Sequence, residues 1–264
     1  MPAPIVDTHC HLYWPSLKAQ ADKLVEDALV AGVRFIVVPG LDLATSLEAQ
    51  ELAHKYESVY YAAGVHPSEV IKNPDFCAKD FFARFEGDPK LIGVGEIGLD
   101  AYRTREMLPQ QIALLLPHLE YAAGMGLPVI LHHRDAGKEL IDVLAKFPDL
   151  RGVFHCFDGS RKLLKYAAES GLYIGVAGNV SYETAHNIHS QLAAIPEDRL
   201  VVETEAPFLT PGEARGRREC VPADVAETAS VIARKLALLE NMLRIRTSRN
   251  SCKLFGLPGD ANGA

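Results

Sequence analysis

Eight short apolar runs recur along the chain, at residues 5–6, 33–38, 59–63, 91–94, 128–131, 152–154, 172–176 and 200–202. They are continuous rather than alternating, which is the pattern of strands covered on both faces, as in a parallel sheet. Between them apolar residues repeat at spacings of three and four. Leu17, Ala21, Leu24, Val25 and Ala28 form one such stripe, and Ile112, Leu115, Leu116, Leu119 and Ala123 another. A last stripe of Val225, Ala229, Ile232, Ala233 and Leu236 supplies a helix after the eighth strand. Strand and helix therefore alternate throughout, and eight such units predict an α/β fold closed into a (β/α)8 TIM barrel. An open doubly wound sheet has the same alternation, but no G-x-G-x-x-G follows the first strand. Gly32, Gly126 and Gly171 each precede a strand, where a left-handed helix cap is useful.

Neither a linker nor a repeat interrupts this pattern. It predicts one domain over residues 1–257 and a short flexible tail at 258–264, rich in Gly, Asp and Asn. With 48% hydrophobic and 23% charged residues, the chain has the composition of a protein that buries a full core. A net charge of −7 gives no global attraction for nucleic acid or anionic membranes, so a phosphate-bearing substrate needs a local patch. Five scattered cysteines without a C-x-x-C pair fit reduced thiols. The start MPAPIVDTHCHL lacks a basic region and a long apolar segment, and eighteen apolar residues never run together. These features predict a cytoplasmic protein without a membrane span; no obligate protein partner is evident.

The histidines concentrate where the strands end. His9 and His11 follow strand one as H-x-H, and period-two alternation points both rings to one side with Cys10 on the other. His66 follows strand three, Glu96 strand four, His132 and His133 strand five, and His155 strand six. His54, His118, His186 and His189 fall on helices and read as structural or solvated. In a barrel all strand C-termini converge on one mouth, so these residues become neighbours. Mixed imidazole and carboxylate ligands suit divalent ions such as Zn, Mg, Mn or Ni, and two ions about 4 Å apart clamp the oxygens of a displacement.

Glu96 lies among glycines in Gly95-Glu96-Ile97-Gly98, which lets backbone approach closely and suits a carboxylate bridging two metals. Asp100, beyond it, reads equally as a helix cap. Glu203 and Glu205 share a face after strand eight, so one of them can bind metal and accept a proton from water. Arg134 and the loop Arg215-Gly216-Arg217-Arg218 offer guanidinium forks for phosphate, although such a loop also reads as a solvated basic turn. The same solvated reading applies to Arg244, Arg246 and Arg249 on the final helical segment.

These residues occur in motifs whose order is specific: Asp7-Thr8-His9-Cys10-His11, Gly64-Val65-His66-Pro67, the stretch 95–100, His132-His133-Arg134-Asp135, His155-Cys156-Phe157 and Glu203-Thr204-Glu205-Ala206-Pro207. Nearly end to end, the chain resembles the TatD family of metal-dependent hydrolases and deoxyribonucleases, a branch of the amidohydrolase-like barrels. The resemblance implies a metallo-dependent hydrolase barrel holding two divalent metal ions. His9, His11 and Glu205 would surround one ion, His132 and His155 the other, with Glu96 between them; His66 and Arg134 would contact substrate. It also implies phosphodiester cleavage of DNA from the 3′ end by a metal-activated water, with Glu205 as proton acceptor and Glu96 in the catalytic centre.

Three positions depart from the family pattern. Glu205 stands where aspartate is usual, Asp158 where a serine follows His-Cys-Phe, and an Asn-x-Pro element is replaced within residues 218–222. They keep two other expectations open. One is a metal-dependent hydrolase of a small ester, amide or phosphoester; the other is a non-catalytic metal-binding scaffold.

Overall fold

The computed structural model describes residues 2–259. The tail expected from residue 258 lies, from residue 260 onward, outside the described residues. Eight strands, β1 Ile5–Asp7, β2 Val33–Pro39, β3 Val59–Ala63, β4 Leu91–Asp100, β5 Val129–Arg134, β6 Gly152–Phe154, β7 Tyr173–Val176 and β8 Leu200–Val202, pair in parallel in sequence order. Beyond β1 and β8 the sheet meets itself. The Thr8 amide donates to the Val202 carbonyl at 3.2 Å, the His11 amide to Ala206 at 2.9 Å, and Cys10 bridges Ala206 in parallel. The expected barrel is present.

Two clusters of buried apolar side chains show how period-two alternation builds it. Val6, Phe35, Val37, Ala62, Ile130, Val153 and Val201 pack together inside the barrel. Their strand neighbours Ile5, Ile36, Val38, Ala63, Val129, Leu131, Phe154, Leu200 and Val202 belong to the second cluster, under the helices. The helix Glu240–Phe255 carries Leu254 and Phe255 into the interior cluster, so this final helix plugs the foot. The left-handed glycines fall as expected, Gly126 and Gly171 capping the helices Leu108–Met125 and Arg161–Ser170 with φ of 65° and 75°.

Two boundaries differ from the sequence pattern. Strand β4 continues six residues past Val94 and contains Glu96, because its register shifts between Val94 and Ile97 as it pairs with β5. Strand β5 likewise includes His132, His133 and Arg134. Polar residues at a barrel mouth remain in the hydrogen-bonded ladder although apolar patterning ends, so hydrophobicity alone stops the strand early. The solvated reading of Arg244 is also overturned. It is 2% exposed and donates to the carbonyls of Ala3 and Ala31 at 3.0 and 3.3 Å, because its helix plugs the foot rather than lying on the surface.

Candidate metal centre

The interior rows that begin with Ile130, Val153 and Val201 continue two residues onward as His132, His155 and Glu203. The same alternation that packs the barrel therefore aims these side chains into its mouth. Around them the backbone is held by buried acids. Asp7 accepts from the Thr204 amide at 2.9 Å and its hydroxyl at 2.7 Å, tying β1 to the segment after β8. The Glu205 amide donates to the His9 carbonyl at 2.9 Å, fixing the two strand ends in register.

Glu96 is the centre of the arrangement. Its Oε2 lies 3.2 Å from His9 Nε2 and 3.7 Å from His11 Nε2. Its Oε1 lies 2.9 Å from His132 Nδ1, 2.9 Å from His155 Nε2 and 3.4 Å from His66 Nε2. One carboxylate thus presents each oxygen to a separate set of imidazoles. Glycines permit the approach: a Cβ on Gly95 would fall 2.7 Å from Ile130 Cβ, and one on Gly98, at φ +148°, 2.0 Å from the His132 carbonyl oxygen.

Glu205 closes one side, with Oε2 at 3.3 Å from His9 Nε2 and 3.5 Å from His155 Nδ1, and Oε1 at 3.9 Å from His11 Nε2. His9 and His11 bring their Nε2 atoms within 3.3 Å of each other, while Cys10 turns into the core. Glu203 sits deeper. It accepts from the Cys156 amide and lies 3.9 Å from His155 Nδ1. Three sets of three ligand atoms are close enough to share an ion: His9, His11 and Glu96; His66, Glu96 and His132; His9, His155 and Glu203.

The electrostatics follow from this crowding. Burial opposes ionisation of Glu96, yet His155, His66 and His132 together hold its carboxyl well below the usual range. Glu205 is held low in the same way by His9, His11 and His155 against the cost of burial. Burial pushes Glu203 up to about 8 and Asp7 up to about 7, and brings His9 down to about 4, with His155 adding to that effect. Of the seven buried side-chain atoms that find no hydrogen-bond partner among the described residues, four lie here: His9 Nδ1, His132 Nε2, His155 Nδ1 and Glu205 Oε2. Unpaired nitrogen and oxygen donors next to a carboxylate with two imidazole-facing oxygens are the donor set of a divalent metal, and the residues fit that group.

Asp100 is the helix cap that its position suggested, and it also faces the site. Its Oδ1 accepts from the amides of Tyr102 and Arg103, capping a short helix, while its Oδ2 lies 3.6 Å from His132 Nε2. His66 joins the Glu96 cluster, and its Nδ1 accepts from the Ser68 amide at 3.1 Å. Arg134 is exposed, with its guanidinium 3.7 Å over the Tyr102 ring. His133 alternates away from the cluster and faces Asp158, at 3.7 Å. In the basic loop, Arg215 lies over Tyr182 and Arg218 forms a forked pair with Asp224, so Arg218 is a structural residue there. Arg244 sits at the opposite end of the barrel.

Sequence reading passed over several supports. Tyr13 Oη lies 2.8 Å from His11 Nδ1, Gln111 holds Asp100 through its backbone amide and carbonyl, and His118 accepts from the Val65 amide beside His66. Only the H-x-H-x-Tyr spacing, which keeps Tyr13 on the histidine side, signals any of them.

Known proteins carry the same architecture. The family model described as TatD related DNase matches residues 6–256. The uncharacterized metal-dependent hydrolase YcfH of Escherichia coli K12 is 31% identical, over 95% of each chain. The 3′-5′ ssDNA/RNA exonuclease TatD of the same organism is 31% identical over 89% of this chain and 93% of its own. The crystal structure of YJJV, a TatD homolog from E. coli K12, superposes with a TM-score of 0.90 at 29% identity, covering 96% of this chain and 98% of that one. An organophosphorus hydrolase from Deinococcus radiodurans, 12% identical with a TM-score of 0.65, shares the barrel fold. With a family model matched over residues 6–256 and relatives 31% identical along almost their whole length, the chain belongs to the TatD-related DNase family of metal-dependent hydrolases.

Proposed function

We propose that this protein is a 3′-5′ exonuclease that removes nucleotides from single-stranded DNA or RNA ends with two divalent ions. The observation that carries the reading is the Glu96 carboxylate, whose two oxygens face two separate groups of histidines. His9, His11 and Glu205 would hold one ion and His132 and His155 the other, with Glu96 shared; Zn, Mg, Mn and Ni all suit these ligands. When bound, such ions supply Lewis-acid stabilisation of phosphate charge and lower the pKa of water.

The protein groups have distinct tasks. Glu205, kept ionised by its histidine neighbours and with no hydrogen bond to Oε2, is placed to accept the proton of an attacking water. Because the Ser68 amide donates to His66 Nδ1, the His66 proton sits on Nε2, where it can be donated to a phosphate oxygen in the mouth. Arg134 stacks on Tyr102 without a carboxylate partner among the described residues, which leaves its fork free for a substrate phosphate. The named exonuclease relatives support nucleic acid as substrate. Free thiols, and the lack of any helix among the described residues long and apolar enough to cross a membrane, support a cytoplasmic setting.

The test is digestion of 3′-labelled single-stranded and duplex DNA by metal-stripped protein re-supplied with Mg²⁺, Mn²⁺ or Zn²⁺, beside a Glu96→Ala control. Metal-dependent shortening that the control lacks is the expected result. A second reading, hydrolysis of a small phosphoester, is favoured by the acidic chain and by half-exposed Asp158 near the mouth. Loaded protein that leaves every oligonucleotide intact but turns over small phosphoesters would select it.

A further inference from the structure

A surface beside the metal centre is aromatic rather than basic. Phe208, three residues after Glu205, is 44% exposed. Its ring meets Trp14 edge to face at 5.1 Å and His11 at 6.4 Å. Trp14 in turn forms a wall of a groove of about 520 Å³, together with Tyr13, Pro15, Ala19 and Leu41. That volume lies within the roughly 300–1,000 Å³ of small-ligand pockets. Lys18 also lines the groove, but its ammonium is paired with Glu48 at 2.9 Å. With Thr45 and Glu48 completing its lining, the groove offers a largely apolar surface and no unpaired cation for a phosphate.

Two hydrogen bonds tie the walls of this groove to residues of the centre. Tyr13, in its wall, reaches His11 Nδ1 at 2.8 Å, and the Leu41 carbonyl accepts from the His66 amide at 2.9 Å. The chain of contacts runs from Glu96 to His11 at 3.7 Å, from the His11 ring to Phe208, and from Phe208 to Trp14, so the aromatic pair adjoins the metal centre.

We infer that Trp14, Phe208 and the adjoining groove form the subsite for the unpaired base of the terminal nucleotide. The inference rests on the nuclease reading above and adds how single strands are selected. A base can lay its face on an indole or phenyl ring only when it is not held in a duplex, and such stacking tolerates any base because each has a π-face. Net negative charge of the protein then matters less, since part of the affinity comes from stacking rather than from phosphate pairing.

Trp14 is the sole tryptophan of the chain, so its emission reports on this subsite alone. Metal-loaded protein is titrated with a phosphorothioate tetranucleotide, binding being followed separately by anisotropy of a 5′ label. Saturable quenching of Trp14 by the normal strand is expected, with none by a strand ending in an abasic residue, which should bind about tenfold more weakly. In steady-state assays Trp14→Ala should raise KM about tenfold with kcat little changed, and Trp14→Phe should recover most of the loss. Binding by anisotropy with unchanged Trp14 emission, and equal KM for normal and abasic ends, would overturn the subsite while leaving the nuclease reading intact. Absence of both binding and cleavage of every oligonucleotide would overturn the nuclease reading and the subsite with it.

Discussion

The two ends of this barrel solve the same backbone problem with different residues. At the foot, chain reversals that need a positive φ are mostly given to glycine, as at Gly32, Gly126 and Gly171, where that conformation costs nothing in sterics, with Ala237 at φ 53° as an exception. At the mouth, besides Gly98, the non-glycines Asp135, Cys156 and Glu205 take φ of 54°, 50° and 61° within three residues of the ends of β5, β6 and β8. Side chains in that region cost on the order of 1–3 kcal/mol each and persist where the surroundings over-determine them. Polar groups divide likewise. Foot donors are mostly spent on carbonyls, as with Arg244 on Ala3 and Ala31, Asn250 on Glu197 and Leu200, and Lys90 on Glu57 and Val59, although Arg244 Nε makes no hydrogen bond and only faces Glu240 at 3.3 Å. The mouth buries ring nitrogens and a carboxylate oxygen without partners. One end is built to be stable and the other to be completed by a ligand.

That contrast predicts that mouth variants lose turnover at near-constant stability, while foot variants do the reverse. The largest effect is expected for Glu96→Ala, which removes the group facing both histidine sets: kcat should fall ~10³-fold or more, about 4 kcal/mol in the barrier, with bound metal reduced by equilibrium dialysis. Glu205→Asp comes next. Its amide is tied to the His9 carbonyl and Ala206 to Cys10, so the backbone cannot follow a shortened side chain. The carboxylate retracts by about 1.5 Å and kcat should drop ~10²-fold, a displacement cost of the kind that misplaced catalytic groups incur. An unchanged kcat would show that the extra methylene of Glu205 is idle.

Arg244→Met tests the other end. Two buried carbonyls lose their donor, which should cost about 2 kcal/mol in urea unfolding while kcat/KM of the folded enzyme stays at the wild-type value. Loss of activity without loss of stability would break the division between the ends. Asp100→Asn is a smaller mouth change. It weakens the contact to His132 Nε2 but keeps the helix cap, and a roughly tenfold loss of metal affinity is expected, as for outer partners of ligating histidines.

Much of this division was legible in the sequence. Ile130 to His132, Val153 to His155 and Val201 to Glu203 are steps of two along strands, so apolar patterning and strand period sufficed to place them in one mouth. The barrel followed from eight alternations and the absence of a dinucleotide fingerprint. Other features lie outside what spacing encodes. The register shift that turns Glu96 inward is a property of the β4–β5 pairing, and the burial of Arg244 depends on a helix folding back under the barrel. Tyr13, Trp14 and Phe208 look like ordinary core aromatics until the loops that carry them are seen side by side.

His118 lies behind the mouth, against Val65, and gives the smallest and most specific test. It is fully buried, stacks on Phe76 at 4.1 Å, lies with Nδ1 2.8 Å from the Leu114 carbonyl, and accepts the Val65 amide on Nε2. Those bonds require the neutral ring, and burial brings its pKa down to about 4 from an ordinary value near 6.5. In the unfolded chain the ring protonates below about pH 6.5, whereas in the folded protein it stays neutral until about pH 4. The unfolded state thus binds more protons in that window, so His118 subtracts stability as pH falls through it. Between about pH 7 and pH 5.5 the loss is about 1 kcal/mol. His118→Gln can keep an acceptor toward Val65 but cannot titrate, so its urea midpoint should decline less steeply with acid than that of the wild type. Parallel curves would place the acid sensitivity in the mouth histidines instead, and would make the mouth, not the helix behind it, the pH-sensitive part of the molecule.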